Sequence, residues 1–276
     1  MKNKINIKQL CCGAILTSFL LVSPLHAADQ PADFKADKTG TNPVNFTTDF
    51  RVYNEYQWLN TDGDGVQNIT TIEHRRPFAD GKWQFRIRAR ATYLEADFNN
   101  DGIDDVDEFG LGDIDFRFLT VPYVDMSKGL SVAVGLETFL PTASDDALGS
   151  EALVFGPQAF FVKFTPFGLK GTLIAGAYQH KFSVYEEDDN AINQGLFDVF
   201  FLLQADNKQT WILFNPQAVI DYDENKEFGF IEAEAGMMVD KYFGTKGHSI
   251  SFRPSIGYGN DRPADGSIEL GYKVIW

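Results

Sequence analysis

Residues 83–118 read WQFRIRARATYLEADFNNDGIDDVDEFGLGDIDFRF, and this stretch decides between two folds. Its middle fits a calcium-loop pattern, because Asp97, Asn99, Asp101, Gly102 and Glu108 satisfy D-x-[DN]-x-[DN]-G-x5-E. In an EF-hand that loop joins two helices. The flanks here have a different period. Trp83, Phe85, Ile87, Ala89, Ala91 and Tyr93 fall on alternate positions, with Gln84, Arg86, Arg88, Arg90 and Thr92 between them. A helix would spread those arginines around its circumference, whereas a strand gathers them on one face. Beyond the loop, Ile114, Phe116 and Phe118 alternate with Asp113, Asp115 and Arg117. The acidic loop therefore joins two antiparallel strands, and an EF-hand sensor is excluded.

The same period recurs along the chain. Alternating segments are expected at 44–59, 66–78, 83–98, 109–121, 129–142, 153–165, 171–185, 192–205, 209–222, 227–241, 248–259 and 267–276. In the first, Val44, Phe46, Phe50, Val52, Tyr56 and Trp58 oppose Asn45, Thr47, Asp49, Arg51, Glu55 and Gln57. In 248–259, Ile250, Phe252, Ile256 and Tyr258 oppose Ser249, Ser251, Arg253 and Ser255. Beyond the leader, no stretch approaches the ~20 apolar residues of a membrane-spanning helix. Ten-residue alternating segments divided by turns are instead the signature of a membrane barrel, which turns its apolar face to lipid and its polar face to the lumen. A soluble sandwich would show the same period, so the ends of the chain must discriminate.

At the N-terminus, Lys2, Lys4 and Lys8 precede the apolar stretch 10–22, and Leu25-His26-Ala27 offers a small-residue exit. This predicts a secretory signal peptide over 1–27, cut near Ala27, followed by a polar lead over 28–43 and a barrel over 44–276. Cys11 and Cys12 both lie in the leader, so the secreted part has no cysteine for disulfides, metal or catalysis. Without the three leader lysines the formal charge of -15 becomes -18, which excludes nucleic-acid binding through charge. The chain ends on a strand, with Ile268, Leu270, Tyr272, Val274 and Trp276 on one face. That ending resembles the signal read by the barrel-assembly machinery of the bacterial outer membrane. Together these features favour an all-β, transmembrane, antiparallel up-and-down β-barrel of about twelve strands, placed in that membrane with lipid and lipopolysaccharide as neighbours.

The connections alternate in character. NTDGDG, NNDGIDDVDE, ASDDALGSEA, EEDDNA, DENK and NDRPADG are acidic; ADGK, PYVDMSK, PFGLK, DNK and FGTKG are mostly short and often carry a lysine. The acidic set is expected outside the cell and the other set in the periplasm. Strand 66–78 fits least well. One register turns His74 and Arg76 to lipid, the other Glu73 and Arg75, and a bulge is expected there.

FGLGDIDFRF (109–118) and GLETFLPTASDDALGSEALVFGP (135–157) resemble an outer-membrane family named for the MetA pathway of phenol degradation. Its hallmarks are Gly-Leu-Gly-Asp opening a strand, here Gly110 to Asp113, and a later Leu-Pro-Thr-Gly, here Leu140-Pro141-Thr142-Ala143. Alanine replaces the last glycine. The resemblance covers about the central fifth of the chain and implies a porin-like barrel transporting aromatic or hydrophobic compounds.

Three sets of residues are candidates for chemistry. Arg86, Arg88, Arg90, Asp113, Asp115, Arg117, Glu137, Glu232, Glu234 and Arg253 fall on polar faces and are expected to line a solute path. They either set a field across a water-filled channel or fill the lumen with mutual ion pairs. Asp97, Asn99, Asp101, Asp105 and Glu108 offer hard oxygen ligands for Ca2+ in an external loop, against the plainer reading of a solvated acidic loop. His74, His180 and His248 accompany no G-x-S-x-G elbow, and the adjacent His248 and Ser249 must point to opposite faces. No enzyme activity and no required cofactor are therefore expected. The expected function is passive uptake of small molecules through an outer-membrane channel, aromatic or hydrophobic by the resemblance. The alternatives are a channel for acidic solutes guided by the arginine row, or a plugged surface barrel with cation-binding loops.

Overall fold

The computed structural model describes residues 39–61, 64–97, 105–125, 127–186 and 191–276. The expected signal peptide and positions 28–38 of the lead lie outside the described residues. Thirteen strands form one sheet: β1 (Asp49–Leu59), β2 (Gly65–Phe78), β3 (Trp83–Ala96), β4 (Val106–Leu111), β5 (Ile114–Asp125), β6 (Leu130–Leu140), β7 (Ala152–Phe164), β8 (Thr172–Glu186), β9 (Asn193–Gln204), β10 (Thr210–Asp221), β11 (Lys226–Met238), β12 (His248–Tyr258) and β13 (Ala264–Ile275). Each pairs antiparallel with its neighbours, β1 pairs with β13, and the β2–β3 ladder completes the ring.

The wall has twelve staves, as the sequence leads one to expect. The thirteenth strand arises because one stave breaks at Gly112-Asp113: β4 pairs with 91–96 of β3, and β5 with 83–88. Gly112 N–H donates to Arg90 O at 3.0 Å, which keeps the broken stave on its neighbour. Among the described residues every stave is thereby paired on both sides, the condition for a sheet to sit in hydrocarbon, although the β4 part of the broken stave ladders with β3 alone.

Register fixes the faces. Arg51 lies opposite Glu73 and His74 opposite Phe50, so Glu73 and Arg75 point inward while His74 and Arg76 point out. Arg76 lies close to the 79–82 turn, at the rim, where a lipid-facing charge costs least. The bulge expected in this strand is absent, since β2 runs in unbroken register with both β1 and β3. A shift occurs instead between Thr120 and Tyr123, around Pro122, which has no N–H to donate to the ladder. On the outer face Asn54 donates to Asn68 and Thr70 at 2.8 and 2.9 Å, so these polar groups satisfy one another. Exposed aromatics ring both ends: Tyr56, Trp58, Phe109 and Tyr258 by the acidic loops, and Phe78, Tyr123, Tyr242 and Trp276 by the short turns.

Two expectations need correction. The first strand begins at Asp49 rather than residue 44. Val44 is 1% exposed within an apolar cluster, and Phe46 packs against it, so their alternation reflects burial inside the barrel mouth. Nor is the interior polar throughout. Leu119, Phe160, Phe164, Leu173, Leu202, Trp211, Leu213 and Met238 form an apolar layer at the short-turn end, contributed by β5 and β7–β11. Those strands contain runs that are apolar on both faces, such as FFVKF and LFDVFFLLQ. Strictly alternating sequence occurs mainly in the other half of the wall.

A charge-divided lumen as candidate functional site

The arginine row of β3 faces inward, as its parity requires, and meets carboxylates from the next two staves. Asp115, fully buried, accepts from Arg86 Nη2 at 3.1 Å, Arg88 Nε at 3.0 Å and Arg90 Nη2 at 2.6 Å. Glu137 on β6 accepts from Arg86, from Arg88 Nη2 at 2.7 Å and from Gln179 Nε2 at 2.8 Å. Gly156 makes that last bond possible, since a Cβ there would stand 2.6 Å from Gln179 Nε2. Registers explain the convergence: Arg88 lies opposite Asp115, Arg86 opposite Arg117, and Arg117 opposite Glu137.

A second group lies by the lead. Arg51 Nε contacts Asp49 at 2.8 Å and Glu73 at 3.3 Å, and Arg75 Nε contacts Glu73 at 2.6 Å. Both arginines also donate to Gly40 O, at 2.8 and 3.2 Å. Gly40 has φ +64°, and a Cβ there would come within 2.7 Å of Arg51 Nη2, so the position suits glycine alone. The lead is thereby held inside the barrel.

Across the lumen the sign reverses. Arg253 pairs with Glu269 and, at 3.4 Å, with Glu232. Glu234 accepts from Trp211 Nε1 at 2.6 Å, and Lys273 Nζ stands 5.1 Å from the centre of that indole. Glu55 faces Glu269 in register. β11 stands six staves from β5 around the ring. One wall thus sets Arg86, Arg88, Arg90, Arg117 and Lys181 against Asp115 and Glu137, while the other sets four glutamates against Arg253 and Lys273. Ion pairs are present on both walls, with cations in excess on one and carboxylates in excess on the other.

Asp113 has a different place from the other candidates. Its carboxylate accepts from Thr142 N–H at 3.0 Å, Ala143 N–H at 3.1 Å, and Ser150 N–H and Oγ at 2.8 and 2.7 Å. It fastens the 141–151 loop to the wall instead of joining the charged belt. Asn99 and Asp101 of the candidate calcium loop lie outside the described residues, and Asp105 and Glu108 are exposed. No cluster of three metal-ligating side chains occurs among the described residues. His248 Nδ1 meets Tyr272 Oη at 2.7 Å on the outer face, while Ser249 is buried inside.

Sequence reading passed over Asp49, Arg51, Glu73, Arg75, Lys181, Asp198 and Glu269 as site residues, whereas Lys273 already fell on a polar face by its parity. Inward parity was available for most of them, but nothing in the pattern says which charges converge.

Two cavities occupy the lumen, of about 340 Å3 and about 180 Å3, and Arg86 and Arg88 line both.

A closed twelve-stave barrel with a charged interior and a lipid-facing apolar wall defines an outer-membrane-type β-barrel. No family model and no curated protein sequence matches the chain. Among solved structures, the chain is similar to the COG4313 outer membrane channel from Pseudomonas putida F1, at 10% identity and a TM-score of 0.65, over 90% of this chain and 100% of that one. It is also similar to the NanC porin, at 9% identity and a TM-score of 0.55, over 82% of this chain and 98% of that one. At these identities the likeness establishes the fold.

Proposed function

We propose that the chain is an outer-membrane channel for passive uptake of small molecules. The observation that carries this reading is the pair of cavities inside a closed wall, with the Arg86 and Arg88 side chains lining both. Side chains can rearrange around a passing solute without breaking a ladder. Passage would run from the acidic-loop end, past the charged belt, and out through the apolar layer, driven by the solute gradient. Aromatic or hydrophobic compounds are the solutes we favour, on the strength of the Gly110–Asp113 and Leu140–Thr142 motifs and the phenylalanines beside the larger cavity. The fold supports a bacterial outer-membrane location; lipid and lipopolysaccharide around the wall, and insertion by the barrel-assembly machinery through β13, are part of the same proposal.

Liposome swelling tests this reading. Vesicles carrying the refolded protein should swell in iso-osmotic small solutes faster than empty vesicles, and equal rates would refute it.

The apolar layer and the seated lead favour a second reading, a closed surface barrel whose acidic loops hold divalent cations. Under it, calcium should slow proteolysis of the 97–108 loop while solute flux stays at the empty-vesicle rate. Unchanged proteolysis would discard the calcium part.

A further inference from the structure

The larger cavity contains cations that the ion-pair scheme does not use. Arg86, Arg88 and Arg90 are engaged by Asp115 and Glu137. Arg117 and Lys181 line the same cavity, yet neither makes a hydrogen bond or ion pair with any described residue. Arg117 Nε is buried without an acceptor. Lys181 Nζ stands over the ring of Phe139, 4.9 Å from its centroid. Gln158, 9% exposed, adds an amide nitrogen that also lacks a partner. Two cations and an amide nitrogen border one space, and an unmatched buried donor is costly. Of the carboxylates lining that space, Glu137 is taken by Arg86, Arg88 and Gln179, and Asp198 accepts from Asn215.

The remaining wall is apolar. Phe139, Phe160 and Phe200 line it, and Phe160 belongs to the layer that closes the short-turn end. A solute entering from the acidic-loop end therefore meets cations and phenylalanines in a single chamber. At about 340 Å3 the chamber lies near the lower bound for small-ligand pockets, which suits a body of one ring.

We infer that this chamber is a binding subsite for a monocarboxylate with an apolar, ring-sized body, its carboxylate held by Arg117 and Lys181 and its body against Phe139, Phe160 and Phe200. The inference rests on the channel reading and narrows its solute class. A neutral apolar solute would leave both cations without a hydrogen-bonding acceptor. A sugar acid would match them but bury its hydroxyls against phenylalanine.

Equilibrium binding to the full-length secreted chain, refolded in detergent, tests the subsite apart from transport. The probes are benzoate, benzyl alcohol and gluconate at millimolar concentration, and heat-modifiable migration certifies folding. Benzoate should bind, and benzyl alcohol and gluconate should each bind at least about tenfold more weakly. Arg117→Gln and Lys181→Gln should each weaken benzoate about tenfold, Arg117→Lys should recover part of the loss, and the outward Arg76→Gln should change nothing. The inference is overturned if benzoate fails to bind folded wild type, if either other probe matches it, or if both cavity variants bind like wild type. The wild-type comparison decides even where a variant does not refold. A barrel that passes solutes without binding benzoate keeps the channel and loses the subsite; one that binds benzoate without passing solutes does the opposite.

Discussion

Asp113 accepts two hydrogen bonds from Ser150, one from its backbone N–H at 2.8 Å and one from its hydroxyl at 2.7 Å. With the bonds from Thr142 and Ala143, a single carboxylate ties both ends of the 141–151 loop to the break between β4 and β5. The packing leaves little room: a Cβ on Gly110 would lie 2.0 Å from Ser144 Oγ, and one on Gly149 would lie 2.4 Å from Ala143 Cβ. The Gly-Leu-Gly-Asp and Leu-Pro-Thr motifs are thus the two sides of one latch. Asp113→Ala should release it. Hydrogen bonds to a charged acceptor contribute about 1.5–3 kcal/mol each. Amide exchange at Thr142, Ala143 and Ser150 should therefore quicken by tenfold or more, while amides of β10 and β11 keep their rates.

Glu137 is the acceptor that Arg86, Arg88 and Gln179 share. Removing one member of a buried ionic group leaves the others uncompensated, at a cost of about 3–5 kcal/mol. Glu137→Ala should lower the urea midpoint of barrel unfolding accordingly. Arg76→Ala, on the outer rim, should lower it far less.

Gly156 is required by its neighbour rather than by its own backbone. Gly156→Ala should push Gln179 from Glu137, with an overpacking cost of about 1–3 kcal/mol. The check is a double-mutant cycle. In a Gln179→Ala background the alanine at 156 should cost little, and an undiminished penalty would place the clash elsewhere.

Val44 and Phe46 complete the apolar layer. Val44→Ser combined with Phe46→Ser removes burial worth about 1.5–3 kcal/mol per side chain and lets water into the short-turn end. Single-channel conductance should rise. If it stays unchanged while the double variant remains folded, the layer does not limit passage.

The wall was legible in sequence because lipid enforces it: each stave must turn apolar side chains outward, and that rule alone recovers the inward parity of Arg86, Arg88, Arg90, Asp115, Arg117, Glu137, Glu232, Glu234 and Arg253. What alternation does not carry is partnership. Arg86 reaches Glu137 across an intervening stave, and Gly156 matters only through Gln179, a residue of the next strand. Asp113 has the same parity as Asp115, but the break at Gly112-Asp113 aims it at a loop. Val44 and Phe46 alternate like strand residues because the barrel mouth buries them, and no local pattern separates that cause from lipid exposure.

Single-channel recording of the refolded protein in a planar bilayer under a salt gradient tests the central claim most directly. Stable ohmic steps are predicted, with a reversal potential that moves toward anions in Glu137→Gln and toward cations in Arg117→Gln. Silence from folded, heat-modifiable wild type at every potential, or reversal potentials indifferent to both substitutions, would contradict a solute path through the charged belt.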